Sequence, residues 1–152
     1  MTTSHYKRIG NETYADARRR YERAWYQRTW GVRLSTYKDM KERGIKSEEL
    51  AKNTILPKLG FTNIIHLSAI NRYSPSDFYA EKNNKKYFIE VTTNISKCVP
   101  LASLLAELLD LNFYVLGIKP DFSAFLLKEV PLGKKSVYIN HRNLIKMEVL
   151  QK

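Results

Sequence analysis

Apolar positions change their spacing along the chain at Gly60. Before it they recur every three or four residues: Tyr14, Ala17, Tyr21, Ala24 and Trp25 share one helical face, and Thr13 followed by Asp16 forms a capping box. This predicts a helix running to about Arg28. Thr36 with Asp39 opens a second, short helix that Gly44 would stop, and Ser47 caps a third, "SEELAKNTIL", ending near Pro57 or Gly60. Helix, Gly turn and helix also outline a DNA-reading helix-turn-helix, so that reading stands beside the others.

Beyond Gly60 the pattern shortens to β-type runs: "FTNIIHL" (61 to 67), "DFYAE" (77 to 81), "KYFIEVTT" (86 to 93), "FYVLGI" (113 to 118) and "SAFLLKEV" (123 to 130). Between the third and fourth, "PLASLLAELLDL" puts Leu101, Leu104, Leu105, Leu108 and Leu109 at helical spacing. The order α-β-β-β-α-β-β predicts an α/β protein, a mixed sheet with helices packed on it. The C-terminal "SVYINHRNLIKMEVLQK" adds a strand and a closing segment. One domain is expected, with a helical extension over residues 1–46 packed on a core over 47–152.

The second and third runs form a hairpin. If Asn83 and Asn84 make its two-residue turn, paired residues have numbers summing to 167, which sets Asp77 opposite Glu90. Directly opposed residues have Cβ atoms roughly 4.5 to 5.5 Å apart, so the two carboxylates repel. A divalent cation relieves that repulsion, since Mg²⁺ takes one or two carboxylates and keeps several waters. The bland reading of either residue, Asp77 as a turn former and Glu90 as a solvated strand position, does not explain the pair.

Charge adds a partner. The 152 residues carry a net charge of +11, and residues 1–46 hold 12 Lys and Arg against 5 Asp and Glu. Arg18, Arg19, Arg20, Arg23, Arg28 and Arg33, with Lys38 and Lys41, are the expected phosphate contacts. The aromatic stripe between them is read either as core or as part of that surface. No signal peptide or membrane span is read. Cys98, the single cysteine, is expected as a small buried hydrophobe in a reducing, cytoplasmic setting, and the three histidines share no ligand spacing.

"SPSD" before the second strand and "IEVTT" on the third, behind a glutamate-bearing helix and an "LGF" lead into the first, resemble the PD-(D/E)XK nuclease superfamily over roughly residues 47 to 118. The superfamily includes restriction enzymes and Holliday-junction resolvases. The resemblance implies a restriction endonuclease-like α-β-β-β-α-β core and a DNA endonuclease using Mg²⁺ or Mn²⁺. Asp77 and Glu90 then match the metal-binding acids, with the Val91 carbonyl as a third donor. Glu49 matches the helix acid, with Glu48 its close competitor. Thr92 stands where the motif has lysine and cannot supply a cation; Lys97, then Lys52, are the candidates to replace it. A homodimer is a possible assembly by the same resemblance. The competing expectation is a DNA-binding protein without catalysis, on a nuclease-like or helix-turn-helix scaffold; a basic RNA-associated protein ranks below both.

Overall fold

The computed structural model describes residues 6–30 and 37–151. Helix α1 (Tyr14–Trp30) starts at the predicted capping box: the Asp16 N–H donates to Thr13 Oγ1 at 3.1 Å, and the Thr13 N–H to the Asp16 carboxylate at 3.4 Å. The segment before it folds back, so the Tyr6 ring packs edge-on against Tyr14 and Tyr21 at 5.6 and 5.5 Å.

Helix α2 (Tyr37–Leu50) runs straight through Gly44, where the sequence predicted a stop. Ser47 is buried and caps nothing; its hydroxyl donates to the Gly44 carbonyl one turn back. No turn separates two helices here, so the helix-turn-helix outline is absent among the described residues, and the division expected between residues 46 and 47 falls inside α2. The helix continues as a π-turn (Ala51–Ile55) into the single turn α3 (Leu56–Lys58). Pro57 explains the widening: it has no N–H, and its ring would press on the carbonyl four residues back. The Leu56 N–H reaches five residues back, to Ala51, instead.

Strands β1 (Thr62–His66), β2 (Phe78–Lys82), β3 (Lys85–Thr92), β5 (Asn112–Ile118), β6 (Ala124–Glu129) and β8 (Ile145–Lys146) form one sheet in the order β1-β2-β3-β5-β6-β8. A short helix, α4 (Leu67–Ile70), follows β1, and α5 (Pro100–Leu108) makes the crossover to β5. Among the described residues, β3 and β5 alone pair in parallel. The protein is thus mixed α/β, a six-stranded mixed sheet flanked by helices. β4 (Ser96–Cys98) escaped the sequence pattern; it pairs with β7 (Ser136–Tyr138), which lies in the C-terminal segment expected to add a strand, as a two-stranded ribbon apart from the main sheet. Cys98 is exposed on it, contrary to the expected burial.

Each face of the sheet carries its own core. Ala51, Ile55 and Leu56 pack on Phe78, Ile89, Val91, Leu116 and Ile118; Ala102 and Ala106 of α5 lie with Phe88, Phe113, Val115, Val137 and Ile139. The alternation of β3 is therefore buried on both sides, with Ile89 and Val91 in the first core and Phe88 in the second. No helix of the described residues is long and apolar enough to cross a membrane.

Gly117 of β5 lies hard against Ile139 in the second core. A Cβ there would lie 2.8 Å from Ile139 Cγ2 and 3.0 Å from its Cγ1, and Ile139 is fully buried. Gly117→Ala is expected to cost about 1–3 kcal/mol by overpacking. Urea melts check this: the midpoint falls at unchanged slope, and Ile139→Ala in the same chain costs less than the two single changes summed.

Candidate active site

The β2–β3 turn sets the site. Asn83 and Asn84 hold φ of 53° and 63°, the left-handed values a two-residue hairpin turn requires. Phe78 pairs with Ile89 and Lys82 with Lys85, the predicted register, so Asp77, just before β2, falls opposite Glu90. Alternation puts Glu90 and Thr92 on the face of Phe88, away from the core that holds Ile89 and Val91.

Asp77 is fixed by its backbone neighbours: its Oδ2 accepts the Val91 N–H at 2.8 Å. Glu90 is 8% exposed and faces Asp77 across the hairpin, while Lys97 Nζ on β4 lies 3.8 Å from Glu90 Oε2. A third carboxylate arrives from α2, and it belongs to Glu48. Its Oε1 accepts the Ser68 hydroxyl at 2.8 Å and lies 3.5 Å from Nε2 of His66, whose ring stacks on Phe78 at 4.4 Å. Glu49, preferred from the sequence, is exposed one helical step away. Lys52 is exposed along the groove that Glu48, His66 and Ser68 line. Thr92 is buried, and its Oγ1 accepts the Asn94 N–H at 3.0 Å, so the hydroxyl shapes the strand's exit.

The electrostatics follow from three carboxyls in partial burial. Removal from water pushes Glu90 up to about 8, the charge of Asp77 and the hydrogen bond to it add to the rise, and Lys97 opposes it. Glu48 is raised as well, by burial first, with the Ser68 hydroxyl opposing and Asp77 reinforcing. Burial and the Asp77 charge favour a protonated Glu90, which eases the repulsion near neutral pH. A cation would do the same work. Among the described residues no group of three or more His, Cys, Asp or Glu side chains is set to hold a metal ion. Two carboxylates with a main-chain carbonyl are nonetheless a donor set that suits a hard ion keeping most of its waters.

The arginines of α1 are less free than their run suggests. Arg18 pairs with Glu22 at 2.8 Å, Arg19 with Asp16 at 3.5 Å, and Arg20 with Glu12 at 3.2 Å while donating to the Lys7 carbonyl. Arg23, Arg28 and Lys41 are exposed; Arg33 and the side chain of Lys38 lie outside the described residues. Tyr21 and Trp25, each 37% exposed, line a small cleft with Tyr6 and Arg28, so the stripe is only half core.

Sequence reasoning missed His66 and Ser68, which no local pattern singles out. The choice of Glu48 was readable: Glu48, Ala51 and Ile55 fall at i, i+3 and i+7, so Glu48 shares the buried face and Glu49 does not. Comparison with family profiles, curated proteins and solved structures finds no match to this chain.

The raised Glu90 predicts a pH dependence of stability. Its folded-state pKa lies above the ordinary 4.5, so the fold favours the protonated form; that contribution is complete below about pH 4.5 and lost as pH rises through about 8. Glu90→Gln removes the charge and keeps the shape. It is expected to raise the urea midpoint at about pH 9, by roughly 1 kcal/mol or more, and to change it little at about pH 5.

Proposed function

We propose that the protein is a metal-dependent DNA endonuclease with a restriction endonuclease-like core. The observation that carries this reading is that the hairpin register sets Asp77 opposite Glu90, with Glu48 beside them and Lys97 3.8 Å from Glu90. A carboxylate buried on central β3 with another set opposite it at the mouth of β2 destabilises a fold that does not use the pair. The element order supports the reading too: α2, three antiparallel strands, α5, then a strand parallel to β3.

The residues divide the work. Asp77 and Glu90, with the Val91 carbonyl, would hold Mg²⁺ or Mn²⁺. Asp77 Oδ2 is oriented by the Val91 N–H, which leaves its other oxygen for the ion. A bound ion of this kind neutralises phosphate charge and acidifies water. Lys97 supplies the cation that Thr92 lacks: it faces Glu90 from β4 and lies where negative charge would build on a phosphate under attack. Glu48, held by Ser68, is placed to accept a proton from the attacking water. The basic surface, including Arg23, Arg28 and Lys41, holds the phosphate backbone without reading sequence.

Thr92 at the lysine position favours a second reading, a nuclease-like scaffold that binds DNA and does not cut it. Incubation of plasmid, linear and branched DNA with Mg²⁺, Mn²⁺ or EDTA separates the two. Cutting is expected with either metal and not with EDTA; Asp77→Asn abolishes it, and Lys97→Ala slows it by about 10²–10³-fold. Mg²⁺ should also raise the melting temperature of the wild type and not of Asp77→Asn. Salt-sensitive binding with no cutting and no thermal shift would leave the second reading.

A further inference from the structure

The loop between β1 and β2 carries the two most exposed large apolar side chains among the described residues, Ile70 at 76% and Tyr73 at 75%. Isolated apolar residues on a surface need no explanation; two within four positions beside the candidate site do. The loop is also well tied. The Asn71 N–H donates to the Leu67 carbonyl at 2.9 Å, the Tyr73 N–H to Asn71 Oδ1 at 2.9 Å, and the Ser74 N–H to the Asn71 carbonyl at 3.0 Å.

Its ends are fastened to the carboxylate cluster. Ser68 donates through its hydroxyl to Glu48 and through its N–H to the Asp77 carbonyl at 3.3 Å, and the buried Ser76 hydroxyl lies 3.2 Å from the Ile89 carbonyl. Tyr73 is four residues from Asp77, at most roughly 14 Å of chain. Arg72 sets its guanidinium 4.8 Å from the centre of the Tyr73 ring, and with Lys52 and Glu49 it lines the groove that leads to Glu48. Residues 67 to 76 contain no acid. An aromatic face, an aliphatic neighbour and two cations, presented rigidly, form a stacking platform for a base with its phosphates.

We propose that this loop takes an unpaired nucleotide beside the scissile phosphate, its base on Tyr73 and Ile70 and its phosphates on Arg72 and Lys52. The inference rests on the nuclease reading and names the substrate class: DNA with an unpaired base near the cut, as at a fork, flap or junction, in preference to continuous duplex.

Anisotropy titrations in EDTA, with fluorescein-labelled duplex and forked oligonucleotides of equal length, test the preference. Forks carrying 2-aminopurine at the unpaired position report the stack directly. The wild type is expected to bind the fork about tenfold or more tighter than duplex and to quench the 2-aminopurine. Tyr73→Ala, a surface change, should remove most of both effects while leaving duplex affinity unchanged, and Tyr73→Phe should keep the quenching. Equal affinity for fork and duplex, or a Tyr73→Ala variant that quenches like the wild type, overturns this inference and leaves the nuclease reading standing. Absence of binding to either DNA overturns both.

Discussion

Two carboxylates held face to face on paired strands are the constraint around which the rest of this protein is arranged. The Asn83–Asn84 turn fixes the register, the register sets Asp77 against Glu90, and the two cores bury the strand that carries Glu90. Each neighbour of the pair answers the repulsion. The Val91 N–H donates to one oxygen of Asp77, Lys97 approaches Glu90 from the β4–β7 ribbon, and burial favours the protonated form of Glu90. The ribbon itself is small, yet it delivers the only positive charge of the described residues that forms an ion pair with Glu90.

The hairpin was legible because it is local: two Asn at the turn and a period of two leave one register in which the apolar faces match. The five principal strands and α5 were legible for the same reason. What the sequence concealed depends on tertiary packing. Gly44 and Ser47 have the chemistry of a stop and a start, but burial of Ser47, Ala51, Ile55 and Leu56 against the sheet holds one helix through them. Glycine in a helix interior costs about 1 kcal/mol, which such a face readily offsets.

The choice between Glu48 and Glu49 shows how a resemblance can displace a periodicity that was already present. The i, i+3, i+7 pattern with Ala51 and Ile55 favoured Glu48, and matching by motif spacing obscured it. His66 and Ser68 had no linear signal, since they reach Glu48 only through the pairing of β1 with β2. Lys97 was found through its place after the strand, although the ribbon that aims it went unread. For Arg18, Arg19 and Arg20 the acids that neutralise them lie within eight residues, so the apparent cost of three adjacent cations is met inside the N-terminal segment itself.

The connectivity of β3 also orders the steps by which the chain completes its folding. Its pairing with β2 closes a two-residue loop, whereas its pairing with β5 must wait for β4 and the α5 crossover. Hairpins form in microseconds, and parallel pairings across long connections form later because more chain entropy is lost before contacts repay it. Asp77 and Glu90 are therefore expected to be set opposite each other while water still surrounds them, before β5 pairs with β3 and closes over that strand. The repulsion that defines the site weighs on the last stage of assembly and leaves the first almost untouched.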